Sequence, residues 1–254
     1  MAIPFVKAQA LGNDFVIIEQ PPLHSHQICQ IAHRRLGIGC DQVIFFQRQA
    51  LAHEIAVQFY NPDGSEAEAC GNGSRAVISL LAQDTSHFSD IKLKTRSRTL
   101  TCQYDHGIAT INMGAASVAD IEAPLLPSQH GPWGAVDIGN PHLIAFVTGI
   151  DHLDIEAIGP QLEYHPAFPQ RVNVSIAQLW PEHIDLKTWE RGAGYTGACG
   201  TAACATAALA HQRHLIHGPV KVKQLGGNLD IVVTAEGIQM SGSATVVFKG
   251  EIDL

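Results

Sequence analysis

The chain has 254 residues, of which 46% are hydrophobic, and it carries a formal net charge of −8 with an isoelectric point near 5.9. This length is enough for two modest domains or one large one, each with its own core. The acidic balance excludes a basic phosphate-binding face, so we expect no nucleic-acid partner. No apolar run approaches the roughly 18 residues of a spanning helix, and no signal-peptide pattern is recognisable, so we expect no membrane partner and a cytoplasmic location.

Six cysteines are too few for a disulfide scaffold in a chain of this length, and no two of them form a C-x-x-C pair. We therefore expect free thiols in a reducing compartment. Four of them are predicted to be small buried hydrophobic residues, namely Cys29, Cys40, Cys102 and Cys204. Cys70 and Cys199 differ, because each is the centre of an Ala-Cys-Gly sequence that opens a helix-like segment.

Strand and helix patterns alternate along the first half of the sequence. Strands are predicted over residues 3–18 (with a turn at 12–14), 43–46, 54–60 and 91–113. A short helix is predicted over residues 27–36, with Arg34 and Arg35 in its last turn. Residues 72–82 are apolar around most of the helical circumference, which predicts a buried helix.

The second half repeats this outline. Residues 114–134, rich in Ala, Pro and Gly, predict the crossover between the halves. Strands are predicted over residues 143–147 and 183–189, a helix of small residues over 201–211, and a β-rich tail over 220–254 with a hairpin at 235–237. We expect one domain over residues 1–115, completed by a last strand at about 246–254, and a second over residues 116–245.

Matched landmarks indicate an internal duplication. Residues 13 and 140 are separated by 127 positions, residues 42 and 173 by 131, and residues 70 and 199 by 129. Asn61 and Glu190 each lie nine positions before a cysteine of the Ala-Cys-Gly pair. The nearly constant offset predicts two related halves, each of which contributes one thiol to a shared site.

A thiol just before a helix is favoured as thiolate by the unpaired backbone N–H groups and the helix dipole. One such cysteine is more often a buried cap, but two matched copies indicate a pair of acid/base groups. Two bases on opposite faces of one carbon are what a racemase needs, because one removes the α-proton and the other returns a proton. The two helix N-termini also offer N–H groups to a carboxylate.

The ordered motifs of the chain resemble those of the diaminopimelate epimerase family. They are Leu11-Gly12-Asn13-Asp14-Phe15, Gly37-Ile38-Gly39-Cys40-Asp41-Gln42, Asn61-Pro62-Asp63-Gly64-Ser65-Glu66, Ala69-Cys70-Gly71-Asn72-Gly73, Gly139-Asn140-Pro141-His142, Arg171-Val172-Asn173, and Glu190-Arg191-Gly192-Ala193-Gly194 through Ala198-Cys199-Gly200. The resemblance runs from about residue 3 to residue 249.

This resemblance implies an α/β (α+β) fold of two pseudo-symmetric domains, each a mostly antiparallel sheet or barrel around a central helix, with the active site in the interdomain cleft. It implies epimerisation of LL-2,6-diaminopimelate to the meso form, a precursor of lysine and peptidoglycan, without a cofactor or a metal. Its small-molecule partner is the amino acid, and a homodimer is one assembly that the sequence allows. Catalysis would fall to Cys70 and Cys199, assisted by His142 and Glu190. Substrate would be held by Asn13, Gln42, Asn61, Gly71, Asn72, Asn140, Asn173, Glu190, Arg191, Gly200 and Thr201.

Three positions depart from the family pattern. Ala10 stands where Gly is usual, Tyr195 where a Glu precedes the Thr, and Ala202 where Gly follows Cys-Gly-Thr. Because Tyr195 and Ala202 flank Cys199, an added methyl group in the first helical turn is expected to narrow the carboxylate pocket. These departures leave open a racemase of another amino acid, or a non-catalytic binder of amino acids.

Other classes fit the sequence less well. Residues 192–197 satisfy G-x-G-x-x-G, but no acidic residue lies between Arg191 and Asp230 to bind a ribose. A pyridoxal-phosphate enzyme needs a Schiff-base lysine, whereas most lysines lie in alternating strand patterns. A metal site at His211, His214 and His217 lacks a carboxylate or thiol at matching spacing.

Overall fold

The computed structural model describes residues 2–49, 53–67, 70–83, 87–121 and 132–254. The chain divides into two compact units, one formed by Met1–Asn112 with Ser241–Leu254 and the other by Met113–Met240. Within the described residues, no helix is both long enough and apolar enough to cross a membrane.

The first unit is a mixed sheet packed around one buried helix. Its helices are α1 (Ser25–Ala32) and α2 (Gly71–Leu81). Its strands are β1 (Ile3–Ala10), β2 (Asn13–Glu19), β3 (Gln42–Arg48), β4 (Glu54–Tyr60), β5 (Glu66–Ala67), β6 (His87–Lys94), β7 (Thr99–Asp105), β8 (Ile108–Asn112) and the last strand of the chain, β18 (Thr245–Ile252). Pairing runs β18-β1-β2-β3-β4-β6-β7-β8, with β2–β3 and β4–β6 parallel and the others antiparallel.

The second unit has the same plan. Its helices are α3 (Ile155–Glu163) and α4 (Gly200–Gln212). Its strands are β9 (Ser117–Ile121), β10 (Trp133–Asp137), β11 (Pro141–Phe146), β12 (Asn173–Leu179), β13 (His183–Glu190), β14 (Gly194–Tyr195), β15 (Val220–Gln224) and β16 (Gly227–Thr234), and β17 (Gly237–Ser243) spans the unit boundary. Pairing runs β9-β10-β11-β12-β13-β15-β16, with β11–β12 and β13–β15 parallel.

The register of pairing repeats as well as the order of strands. Phe15 pairs with Gln42 where β2 meets β3, and His142 pairs with Asn173 where β11 meets β12. The short strands β5 and β14 return antiparallel to the ends of β4 and β13, just before each Ala-Cys-Gly sequence. The predicted α/β fold, with a sheet around a central helix in each half, is therefore confirmed.

The central helices α2 and α4 are buried along most of their length. Residues Gly71–Ser79 of α2 are all buried, as are residues Ala202–Ala210 of α4. Helix α2 contacts strands on several sides, including β1, β2, β7 and β8, and α4 contacts β10, β12 and β16. Small residues at the starts of both helices allow this close approach to the strands.

Several local predictions need correction. The first hairpin turns at Leu11-Gly12, where both residues have positive φ, so Asn13 and Asp14 begin β2 instead of forming the turn. The first helix, predicted over residues 27–36, ends at Ala32 because His33 is extended, and Arg34 therefore lies beyond it. The predicted crossover contains strand β9, and residues 122–131 of it lie outside the described part. Cys40, Cys102 and Cys204 are buried as expected, whereas Cys29 is half-buried.

The two helix starts are packed differently at matched positions. A Cβ at Gly73 would lie 2.8 Å from Cε1 of Phe59 and 2.9 Å from Cδ1 of Ile44, a cross-strand pair of β3 and β4. At the matching register of β12 and β13, the pair is Ser175 and Thr188. These smaller side chains explain why α4 carries Ala202, which is fully buried, at the position where α2 requires Gly73.

We expect Gly73→Ala to lower the free energy of unfolding by about 1–3 kcal/mol, because the added methyl group overpacks the contact with Phe59 and Ile44. Denaturant unfolding of the purified variant measures this. The control is Gly218→Ala, whose added Cβ meets nothing within 4 Å, so it should change stability by less than about 0.5 kcal/mol. Equal stabilities of the two variants would contradict this account of the packing.

Candidate functional site

Cys70 is the N-cap of α2, and its thiol lies where the helix leaves backbone donors unpaired. Its backbone is extended, with φ −139° and ψ 113°, and its Sγ accepts a hydrogen bond from the N–H of Gly73 at 3.3 Å. The side chain is only partly buried. This N–H and the positive end of the helix dipole both favour the thiolate form of Cys70.

Polar side chains from the ends of β3 and β4 are linked to one another in the first unit. Gln42 Nε2 donates to Asn61 Oδ1 at 3.2 Å, and Asn61 Nδ2 donates to Ser65 Oγ at 3.1 Å. Gln42 Oε1 is buried and has no hydrogen-bond partner among the described residues. This oxygen is therefore an acceptor available to a bound donor such as an ammonium group.

Asn13 is fixed by an ionic network. Its Nδ2 donates to Asp41 Oδ2 at 2.8 Å, and Arg34 bridges Asp41 and Asp14 at 2.6 and 2.7 Å. Burial alone would raise the pKa of Asp14, but hydrogen bonds from Arg34 and Lys7 hold that pKa well below its ordinary value. With the amide nitrogen committed to Asp41, Asn13 can present its Oδ1 as an acceptor.

Cys199 is the N-cap of α4, with φ −120° and ψ 113°. Its Sγ lies 3.4 Å from Thr201 Oγ1 and also interacts with the backbone N–H of Ala202 and the carboxylate of Glu190. Glu190 Oε1 in turn accepts a hydrogen bond from Thr196 Oγ1. The Cys199 thiol thus has a carboxylate neighbour, and Cys199 itself is only 5% exposed.

Burial raises the pKa of the Cys199 thiol well above its ordinary value, and the negative charge of Glu190 raises it further. Hydrogen bonds from Thr201 and from the Ala202 N–H act in the opposite direction and do not compensate. Cys199 is therefore protonated at neutral pH in the ligand-free protein, and it is suited to donate a proton.

A chain of hydrogen bonds joins His142 to Cys199. His142 Nε2 lies 3.1 Å from Asn140 Oδ1, and Asn140 Nδ2 donates to Thr201 Oγ1 at 3.3 Å. Because Asn140 Oδ1 can only accept, the network assigns the proton of His142 to Nε2. Burial, together with the positive charge of Arg191, lowers the pKa of His142 to about 3, so the ring is neutral. Its buried Nδ1 has no hydrogen-bond partner among the described residues.

Asn173 organises the loop around Arg191. Its Nδ2 donates to the carbonyl of Pro141 at 2.9 Å, and its Oδ1 accepts from the Arg191 N–H at 3.0 Å. The Arg191 guanidinium donates to the carbonyl of Gln170 at 3.1 Å. Asn72, similarly, accepts from Arg75 at 2.9 Å within the first turn of α2. Asn173 thus supports the backbone of the site, whereas Asn72 holds the Arg75 side chain.

Three residues near these groups were not assigned roles from the sequence. Asp41 holds Asn13, and buried Glu163 accepts from Trp189 Nε1 at 2.7 Å and from the Gly192 N–H at 2.9 Å. Gln224 Oε1 accepts from the Cys199 N–H at 2.8 Å. One signal was available for Gln224, because it follows Val220 and Val222 on the core-facing side of a strand.

The two residues beside Cys199 that depart from the family pattern are packed within the second unit. Tyr195 and Trp189 pack against a hydrophobic cluster that includes Leu162 of α3 and Val174 of β12. Ala202 is fully buried, and its N–H faces Cys199 as that of Gly73 faces Cys70. The expectation that the Ala202 methyl group narrows a carboxylate pocket stays a prediction. In the described ranges, which include His211, His214 and His217, no group of three His, Cys, Asp or Glu side chains is arranged to hold a metal ion.

The family model for diaminopimelate epimerase matches residues 5–119 and 134–247. A diaminopimelate epimerase from Sphingopyxis alaskensis is 39% identical in an alignment covering 100% of this chain and 98% of the relative, and one from Rhodospirillum centenum is 37% identical over 98% and 91%. Among solved structures, a phenazine biosynthesis protein of the PhzF family from Bacillus anthracis has the same fold, with a TM-score of 0.76 at 16% identity and full coverage of both chains. The extent of these matches shows that the chain belongs to the diaminopimelate epimerase family.

Proposed function

We propose that the protein epimerises LL-2,6-diaminopimelate to the meso form by a two-thiol mechanism without a cofactor. The observation that carries the proposal is the repeated placement of a cysteine as N-cap of a buried helix, at matching register in the two units. Membership of a family whose named relatives are diaminopimelate epimerases supplies the substrate. The product serves the formation of lysine and peptidoglycan precursors.

In the proposed reaction, the two units are the two domains, and their thiols act on opposite faces of one substrate Cα. One thiolate takes the α-proton, so that the Cα–H bond breaks and its electron pair stays on the substrate. The other thiol gives its proton to the opposite face, and the negative charge ends on that sulfur. Protons and charge balance over the step, and the reverse reaction exchanges the two roles.

The surroundings of the thiols support an assignment of their resting protonation states. Cys70 accepts an N–H at the helix N-terminus, which favours a thiolate and hence the base. Cys199 adjoins Glu190 in a buried position, and its raised pKa favours the thiol and hence the acid. We therefore propose that the ligand-free enzyme is poised for the stereoisomer whose α-proton faces Cys70.

The carboxylate next to the reacting carbon needs donors, because it takes up charge as the proton leaves. We propose that backbone N–H groups in the first turns of α2 and α4, at Gly71, Asn72, Gly200 and Thr201, bind it, because helix N-termini favour anions. Donors fixed in advance stabilise the growing charge without reorganisation, which is the main electrostatic advantage of such a site.

The remaining charges of the substrate are proposed to bind the amides and one arginine. The unpartnered Gln42 Oε1 and the oriented Asn13 Oδ1 suit an ammonium group, and Asn61 and Asn140 are proposed to bind the substrate as well. The Arg191 guanidinium suits a carboxylate, and Asn173 holds its backbone. His142 is proposed to assist Cys199 through Asn140 and Thr201, and Glu190 by direct contact with Cys199.

Both proposed thiols come from one polypeptide, so the mechanism requires a single chain. Their chemistry requires reduced sulfur, which supports a cytoplasmic location. Neither step of the proposed proton transfer needs an electron sink beyond the substrate carboxylate and its N–H donors.

We expect Cys70→Ala and Cys199→Ala each to lower epimerisation by about 10²–10⁴-fold, because each removes the acid/base group of one face. In deuterated water, each variant should still exchange the Cα hydrogen of one stereoisomer without inverting it, and the two variants should prefer opposite stereoisomers. Mass spectrometry and chiral chromatography of diaminopimelate measure both effects.

The control for these variants is Cys102→Ala, which removes a buried thiol of β7 and should retain epimerisation. Undiminished turnover in either Cys70→Ala or Cys199→Ala would refute the two-thiol assignment. A wild-type protein that binds diaminopimelate but exchanges no Cα hydrogen would be a binder and not an epimerase.

We expect Glu190→Gln to increase alkylation of Cys199 at pH 8, by up to about 10-fold for each unit by which its pKa falls. The reason is that removal of the neighbouring negative charge lowers the pKa of the thiol. In the parent protein, the alkylation rate of Cys199 should keep rising with pH through pH 9, as measured by peptide mass spectrometry with iodoacetamide.

The matched control is Glu156→Gln, which removes an exposed carboxylate from the first turn of α3 and should leave alkylation of Cys199 unchanged. A plateau of the Cys199 rate below pH 8 in the parent protein would show that this residue is the resting thiolate.

A further inference from the structure

Gln224 reaches the start of α4 from the end of β15. It follows Val220 and Val222, both buried, on the core-facing side of this strand. Its Oε1 accepts a hydrogen bond from the backbone N–H of Cys199 at 2.8 Å. Close by, the Gly226 N–H donates to the carbonyl of Gly197 at 2.7 Å. Two hydrogen bonds therefore attach the loop of residues 197–199 to β15 and the turn that follows it.

The hydrogen bond to Cys199 fixes the orientation of the carboxamide, because a backbone N–H needs an acceptor and only Oε1 can be one. The amide nitrogen Nε2 is then buried, with no hydrogen-bond partner among the described residues. The two heteroatoms of a carboxamide are about 2.3 Å apart, which places Nε2 within about 5 Å of the Cys199 nitrogen. An unsatisfied buried donor is costly, and an acceptor that arrives with a ligand would remove the cost.

The residue at the matching position of the first unit makes different hydrogen bonds. Thr95 follows Lys94 of β6 as Gln224 follows Lys223 of β15, at the matching register of the sheet. Its hydroxyl donates to the carbonyl of Arg98 at 2.8 Å and accepts from the Arg98 N–H at 3.2 Å, which uses it within its own turn. At this position, therefore, Gln224 contacts Cys199, whereas the Thr95 hydroxyl bonds to Arg98.

We propose that Gln224 binds the reacting carboxylate of the amino-acid substrate through Nε2, while its Oε1 positions Cys199. This inference rests on the proposed function, because it assigns one further donor to the same site. The carboxylate would supply the acceptor that Nε2 lacks. Since one planar carboxamide makes both hydrogen bonds, the position of the substrate carboxylate is tied to the position of the acid thiol.

Two variants separate these two roles. Gln224→Met has a similar length but neither donor nor acceptor, so it should lower kcat/KM by about 10- to 100-fold, the usual effect of one lost hydrogen bond to a charged group. It should also increase hydrogen exchange at the Cys199 amide, followed by peptide mass spectrometry. Gln224→Glu keeps the acceptor, so this amide should exchange as in the wild-type protein.

Gln224→Glu tests the donor role by its pH dependence. At pH 8 the introduced carboxylate repels the substrate carboxylate, and KM should rise by more than in Gln224→Met. As the pH falls toward 6, protonation of the introduced carboxylate supplies an O–H donor, so the ratio of variant to wild-type kcat/KM should increase. A purely structural residue would not produce this dependence.

The matched control is Gln178→Met in β12, because Gln178 Oε1 also accepts a backbone N–H, that of Ile150 at 2.9 Å. This variant should keep kcat/KM within about twofold of wild type. Wild-type kinetics in Gln224→Met, or a loss in Gln224→Glu that is equal at pH 6 and pH 8, would overturn the proposal. If Gln224→Met does not fold, the pH dependence of Gln224→Glu decides.

Calorimetric binding of meso-diaminopimelate distinguishes failure of this inference from failure of the proposed function. If the wild-type protein binds without Cα exchange, the epimerase proposal fails, and Gln224 is still judged by whether Gln224→Glu weakens binding at pH 8. If the wild-type protein is active and both Gln224 variants match it, only the role of Gln224 is refuted. If the wild-type protein neither binds nor exchanges, both proposals are refuted.

Discussion

The unpaired backbone donors at the start of a buried helix are the constraint on which the site depends. The first four N–H groups of any α-helix lack intrahelical partners, and in α2 and α4 the first turn is enclosed by strands, where water cannot easily satisfy them. A thiol at the N-cap accepts one of these donors, as Cys70 does from Gly73. Helix N-termini favour anions, so burial of a helix start in each half supports the proposed carboxylate site beside each sulfur.

Duplication gives two similar helix starts, but a proton relay needs two different protonation states. The differences lie in the residues around the repeated motif. On the Cys70 side, Ile44 and Phe59 press against Gly73, whereas Ser175 and Thr188 occupy the matching pair on the other side. Glu190 stands where the first half has Asn61, and its charge adds to burial in raising the pKa of Cys199. We propose that one repeated scaffold thus provides a base and an acid.

Much of the fold and part of the site follow from local sequence. The alternation over Glu54–Tyr60 and the apolar residues around most of α2 were sufficient to predict these two elements, because each depends on burial of one short segment. The end of α1 was predicted four residues too far along the chain, at residue 36 instead of Ala32. The backbone at His33 is extended, which helix propensity alone does not indicate. Arg34 consequently leaves the helix and bridges Asp14 and Asp41, a network that the helical pattern did not indicate.

The sequence by itself determined the repeat, the family and the two cysteines at helix starts, because each is written in neighbouring residues and in a constant spacing. Only the tertiary structure decided how the groups around Cys199 are satisfied. Gln224 meets Cys199 across 25 positions, and Glu163 meets Trp189 and Gly192 across 26 and 29. Such contacts depend on which strand lies beside which, and the pKa of a thiol depends on the burial and charge that those neighbours impose. The chemistry of the second thiol is therefore a property of the assembled sheet and not of the Ala-Cys-Gly sequence.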